Sequence, residues 1–257
     1  MDLWGPSPTK SLGGNSYFLS VIDDFFMYAV VYPIKKKSDV FNCFSEYLVN
    51  SERQLGRKLK CVRSDNCFEF CNKQFESYLK SLGIKMERTT VYTPEQNGVA
   101  ERFNRSVIEG IRAMLQDSGL HARFWAEALQ TFVHIRNRCE HKFTKNISPT
   151  EIWTGRKPSL RHFKIFGSIA YAYTPSIKRN KLQNKADIGI FVGYARKTKG
   201  YRIWLLRKKD VIKTIHAKID ESKNGVMTSF GQKSQEYVQI SLSGVYFSES
   251  TNDQNVF

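Results

Sequence analysis

The chain has 257 residues and a formal charge of +16, from 40 Lys and Arg against 24 Asp and Glu, with 41% hydrophobic and 13% aromatic residues. This composition excludes wholesale disorder, and the length allows one large core or two modest ones, of which two are expected. The charge points to a polyanionic partner. No stretch nears the roughly 18 apolar residues of a membrane span, and five Cys without a CxxC pair, behind a start with no secretory pattern, fit a reducing compartment.

In chain order, Tyr17 to Asp23 and Met27 to Ile34 are rich in β-branched and aromatic residues and predict two paired strands around an acidic turn. Ser38 or Asp39 can cap a helix running to about Leu55, with Val40, Phe41, Phe44, Leu48 and Leu55 as its apolar face and Gly56 as its stop. A short strand from Lys58 to Arg63 leads to Asp65. Asn72 opens a helix over Phe75, Tyr78, Leu79 and Leu82, Gly83 closes it, and Ile84 to Arg88 forms another strand. Tyr92 to Gly98 carries the Pro, Asn and Gly of a loop.

A long helix is predicted from about Val99 to Gln116, buried along Phe103, Val107, Ile111 and Met114, with Glu101, Arg105, Ile108 and Arg112 on a second line. Another follows from about Ala122 to Arg138. Beyond Pro149, TEIWTGRKPSL reads as a loop, and Phe166 to Tyr173, Gly189 to Tyr194, Tyr201 to Leu206 and Val211 to His216 read as short strands of a small β-rich module. From Glu221 the chain reads as a polar tail, in which Tyr237 to Phe247 could add a strand. Strands followed by flanking helices predict an α/β core.

Charge is concentrated in the second part. Between Arg156 and Asp220 there are 17 Lys and Arg against three acids, +14 of the whole +16. Lys178, Arg179, Lys181, Arg196, Lys197, Lys199 and Arg202 alternate there with Tyr and Trp and are the candidate phosphate contacts of a salt-sensitive DNA grip. Tyr194, Tyr201 and Trp204 are read as core. On the long helix Arg102, Arg105 and Arg112 are further candidates, and Gln96 and Asn97 in the loop are candidates for touching a DNA end. The runs Lys35-Lys36-Lys37 and Arg207-Lys208-Lys209 are weak import signals that agree with a nuclear location, with a cytoplasmic particle stage also open.

Three acids stand in distinctive settings: Asp2 in DLWGP, Asp65 in VRSDNCFEF and Glu101 in YTPEQNGVAERFNR, the last two separated by thirty-five residues. Asp23 and Asp24 fall at a turn, where Asp commonly bonds to local backbone. Cys67 and Cys71 have no nearby His pair, so no zinc site is expected in this chain.

The blocks LGGNSYFLSVIDDF, RSDN, YTPEQNGVAERFNR, FWAEAL, SPTEIWTGRKPSL, FGSIAYAY and IGIFVGYARKTKGYRIW occur in the order found in copia-type LTR retrotransposon integrases, which the chain resembles over roughly residues 1 to 220. The resemblance implies a ribonuclease-H-like mixed five-stranded sheet with flanking helices, here residues 1–150. A linker over 151–165, a basic DNA-binding β module over 166–220 and a polar tail over 221–257 follow. It implies that Asp2, Asp65 and Glu101 are catalytic and hold two Mg²⁺ or Mn²⁺ ions. The implied reaction is 3′-end processing and strand transfer on double-stranded DNA, both element ends and target, by a homo-oligomer away from membranes. The alternative is a remnant of such an integrase that binds DNA without catalysis.

Overall fold

The computed structural model describes residues 1–64, 73–88, 98–174, 184–196 and 198–230. The first sheet is an antiparallel ladder in the order β1 (Asp2–Trp4), β2 (Tyr17–Ile22), β3 (Ala29–Ile34). Successive strand residues face opposite sides, and β2 uses both. Phe18 joins one apolar cluster with Ala29 and Val31 of β3, whereas Leu19 and Val21 join another with Tyr32 and Ile34. Each face is therefore covered. Helix α1 (Val40–Leu55) lies on the second, inserting Val40, Phe44, Tyr47 and Leu48, and α2 (Lys73–Ser81) adds Phe75 and Leu79.

Helix α1 ends as expected at Gly56, whose φ of 63° is a left-handed turn open to glycine. Strands β4 (Cys61–Ser64) and β5 (Lys85–Arg88) pair in parallel beside the first ladder. The amino group of Met1 donates to Arg63 O at 2.7 Å and bridges the two ladders. These five strands, antiparallel in one ladder and parallel in the other, with helices on both faces, are the mixed α/β core that the resemblance implies.

The opposite face is covered by α3 (Gly98–Ser118) and α4 (Trp125–Arg136). On α3 the buried line is Phe103, Val107, Ile111 and Leu115; Met114, expected in that line, is only partly covered, because a spacing of four rather than three follows the sheet here. Residues 150–154, expected as loop, belong instead to α5 (Pro149–Thr154). Its signals are local: Ser148 Oγ accepts from Glu151 N–H at 3.2 Å, Pro149 opens the first turn, and Gly155 closes it with φ 71°. Trp153 of α5 stacks on Tyr28 with ring centroids 4.6 Å apart and donates Nε1–H to Gln54 Oε1 at 2.8 Å.

A second, all-antiparallel sheet runs β10 (Ala217–Asn224), β6 (Ser168–Tyr173), β7 (Ala186–Tyr194), β8 (Tyr201–Leu205), β9 (Asp210–Thr214). Strand β10 and the following α6 (Gly225–Phe230) carry order past residue 220, into the stretch read as polar tail. The sequence AKIDESKN hides this strand because an edge strand is held by backbone pairing, here Ala217 opposite Ala172 and Ile219 opposite Ala170, and tolerates polar side chains. Glu221 on it accepts from Ile165 N–H at 3.1 Å and pairs with Lys164 Nζ at 2.6 Å.

Strand β7 presses directly on α4. Gly193 lies at a register shift with φ 139°, and a Cβ there would stand 2.4 Å from Thr131 Oγ1. Thr131 in turn donates to Glu127 O at 2.9 Å and reaches Val192 O at 3.3 Å. Glycine is required at this crossing. Beside it His134 stacks on Tyr194, centroids 4.1 Å apart, and its Nε2 lies 3.0 Å from Nε2 of His162.

Burial, with help from Arg138 and His162, pushes the His134 pKa down to about 3. An unfolded His titrates near 6.5, so between those values the unfolded chain binds more protons and stability falls as pH falls. At pH 5 that loss is up to about 2 kcal/mol for one such ring. The urea midpoint should be lower at pH 5 than at pH 7.5, and the gap should narrow in His134→Phe. An equal gap in both proteins would show that the ring titrates normally when folded.

Candidate active site

Strand β1 places Asp2 opposite Ser20, whose Oγ donates to Asp2 O at 3.2 Å. The Asp2 carboxylate faces α3: Asn104 Nδ2 donates to Asp2 Oδ2 at 2.7 Å. Asn104 is 7% exposed, and its Oδ1 has no hydrogen-bond partner among the described residues. A buried amide oxygen normally finds one. Glu101 lies one turn earlier on the same helix, exposed, in the first turn. At 3.6 residues per turn it sits about 60° around the axis from Asn104 and about 40° from Arg105. One helix therefore contacts Asp2 and projects Glu101 and Arg105 from neighbouring directions.

Asp65 lies outside the described residues, one position after Ser64 at the end of β4. Arg63, two positions before it, accepts from Met1, the residue before Asp2. Beside this bridge is a pocket of about 280 Å³ that includes Met1, Arg63, Val99 and Ala100, residues adjoining all three acids in sequence. Among the described residues no three His, Cys, Asp or Glu side chains form a metal-sized group.

Asp23 and Asp24 serve the turn. Asp23 Oδ1 accepts from Phe25 N–H at 3.0 Å and Phe26 N–H at 2.7 Å, and Asp24 lies 3.5 Å from Arg63. Gln96, Asn97, Lys178, Arg179, Lys181 and Lys197 lie outside the described residues. Arg102, Arg105 and Arg112 are exposed on α3. Arg196 and Lys199 are exposed between β7 and β8, and the Arg196 guanidinium lies over the Tyr32 ring at 5.2 Å. Tyr32 belongs to β3, the ladder edge away from Asp2. The Arg196 side chain is therefore set away from Asp2.

Arg202 departs furthest from expectation. Its Nε and Nη2 donate to Glu127 Oε2 and Oε1 at 2.6 and 2.5 Å, with side chains 20% and 11% exposed. A fork spent on a carboxylate is not offered to phosphate. Asn104 and Glu127 were passed over in sequence, although each carried a signal: a polar residue inside an otherwise apolar helical line.

Residues 168–232 match the family model described as the retroviral polymerase SH3-like domain. Over 241 residues, 89% of its length, the chain is 39% identical to the retrovirus-related Pol polyprotein from transposon TNT 1-94 of Nicotiana tabacum. Its homologues are retrovirus-related Pol polyproteins of plant transposons. The Pol polyprotein from transposon RE2 of Arabidopsis thaliana is 28% identical over 240 residues, 91% of this chain. The chain spans 18% and 16% of those two polyproteins. Among solved structures, the catalytic core domain of BIV integrase aligns with a TM-score of 0.44 and 18% identity, covering 60% of this chain and 92% of that one. No helix among the described residues is long and apolar enough to cross a membrane.

Proposed function

We propose that this Pol-derived chain is an integrase that processes the 3′ ends of element DNA and transfers them into target DNA. The observation that carries the reading is the Asn104–Asp2 hydrogen bond, which sets the helix bearing Glu101 against the strand bearing Asp2. The donor chemistry fits a divalent metal. Carboxylate oxygens of Asp2, Asp65 and Glu101 are the hard ligands that Mg²⁺ or Mn²⁺ prefers, and Asn104 Oδ1, without a partner among the described residues, adds a buried polar oxygen beside Asp2. Two such ions, held by these three acids, would stabilise charge on the attacking and departing oxygens of a phosphodiester.

The protein's own contribution is placement. Asn104 fixes the Asp2 carboxylate through one oxygen. Arg102 and Arg105, exposed on the first two turns of α3, are placed to take the flanking phosphates. The basic β6–β10 sheet supplies a sequence-independent grip on duplex DNA through its remaining exposed Lys and Arg, and the DNA would gather several copies of the chain. Acting on chromosomal targets, it would work in the nucleus.

Purified protein with Mn²⁺ or Mg²⁺ and oligonucleotides bearing the element's terminal repeats should yield 3′-joined products. Binding without joining under every metal condition would establish the second reading, a DNA-binding protein without catalysis.

A further inference from the structure

The edge of the first ladder away from Asp2 is β3, and an open cleft of about 1,080 Å³ follows it, bordered by every residue from Tyr28 to Tyr32. The ladder fixes which backbone groups face that cleft. Asp23 N–H donates to Tyr28 O at 3.0 Å, in the register that also pairs Ile22 with Ala29. Hydrogen bonding alternates along an antiparallel strand, so Tyr28, Val30 and Tyr32 turn their N–H and C=O groups towards β2. Ala29, Val31 and Pro33 turn theirs outward.

The end of α4 already occupies part of this edge. Arg136 Nη1 donates to Met27 O at 3.2 Å. At Ala29 the Asn137 side chain behaves as a neighbouring strand would: Ala29 N–H donates to its Oδ1 at 3.0 Å, and its Nδ2 donates back to Ala29 O at 2.7 Å. Two residues on, the cover stops. Val31 is 4% exposed, yet neither its outward N–H nor its outward C=O has a partner among the described residues. Buried peptide groups are almost always paired. Pro33 offers a carbonyl and no N–H, which closes the open stretch.

The flanks of the cleft differ in charge. Val31 packs in one apolar cluster with α4, and Tyr32 in the other with α1. From α4 comes Arg138, partly buried, with one guanidinium N–H donated to His134 O at 3.0 Å and no carboxylate partner among the described residues. From α1 come Glu46 and Asn50. We propose that an extended acidic peptide of a partner protein docks here as an added strand, exchanging N–H and C=O with Val31 and donating one further N–H to Pro33 O. The residue opposite Val31 shares its face of the sheet and so points towards α4, where a carboxylate answers Arg138. Its two neighbours point towards α1, where Glu46 repels an acid. The segment taken is therefore one in which acidic and uncharged residues alternate. In strand addition of this kind the backbone supplies affinity and alternate side chains supply specificity. This goes beyond the proposed joining reaction and needs neither metal nor DNA.

The test is fluorescence anisotropy in EDTA with a labelled, end-capped peptide of alternating Thr and Glu. N-methylation of single peptide amides should weaken binding about 10-fold at the positions that face β3 and leave those between them near the parent affinity. A peptide of the same composition with its Glu residues adjacent should bind more weakly. Arg138→Gln should cost about 10-fold for the alternating peptide. The N-methyl series uses the unaltered protein, so it decides the matter even where Arg138→Gln lowers the urea midpoint. Amide exchange at Val31 should slow on adding the peptide, while that at Ala29, already bonded to Asn137, stays as it was. Indifference to N-methylation at every position overturns the proposal. So does Val31 protection that rises with protein concentration alone, which would assign the edge to a second copy, or an oligonucleotide that protects Val31 with the same dependence on Arg138. The Glu101→Gln protein should bind the peptide like wild type, which separates failure of this edge from failure of the joining reaction.

Discussion

Glu101→Gln should reduce 3′-end joining at least ~100-fold while leaving the fold intact. The side chain is exposed in the first turn of α3, and the helix is held by Phe103, Val107, Ile111 and Leu115. Gln keeps shape and helix propensity, so the urea midpoint should change by no more than about 0.5 kcal/mol equivalent. What it removes is one negative charge and one anionic oxygen that the proposed phosphodiester chemistry would require there. DNA affinity measured without metal should be unaltered, because Glu101 is not a cation. Joining at the wild-type rate by Glu101→Gln would remove this residue from the site and, with it, the proposed mechanism.

Truncating Arg202 to Met should destabilise the protein by about 3–5 kcal/mol, because it leaves Glu127 charged in a nearly buried position. The two-pronged pair ties α4 to β8 and is short on both arms. Replacing both partners, Glu127→Leu with Arg202→Met, should recover most of that loss, since an apolar pair of similar volume needs no compensation. A thermal melt of the three variants reads both outcomes. Equal stability of the single variant and wild type would mean that the pair is solvated, and Arg202 would then return to the candidates for phosphate contact.

The fold was legible wherever apolar residues recurred at a helical or strand period. β2, β3, α1, α3 and α4 announce themselves through the periods of Phe18, Val31, Phe44, Val107 and Leu129, whose burial the two sheet faces demand. Legibility failed where local chemistry or backbone pairing decided the outcome. The six residues of α5 rest on a Ser-Pro cap inside what composition marks as loop, and β10 rests on its edge ladder with β6.

The site shows the same division. Glu101 and Arg105 could be placed on one helix from their spacing, but that Asp2 is held by Asn104 is a contact across 102 positions that no local pattern encodes. Charge density marked residues 156–220 as basic but did not set Arg202 apart from its neighbours, because a sequence does not say which cation has already met its acid.

Helix α4 has no outer side. Ala128 and Leu129 lie in one cluster with Val31 of β3 and with Ile190 and Val192 of β7, and Val226 of α6 closes the same cluster. The basic sheet is consequently not a portable attachment. Transplanted alone it would carry a bare apolar face, and a core shortened to its first 150 residues would lose the wall that keeps α4 dry. An exchange between lineages that swapped one part without the other would have to rebuild the surface of α4 at the same time, so the two parts are bound to change together.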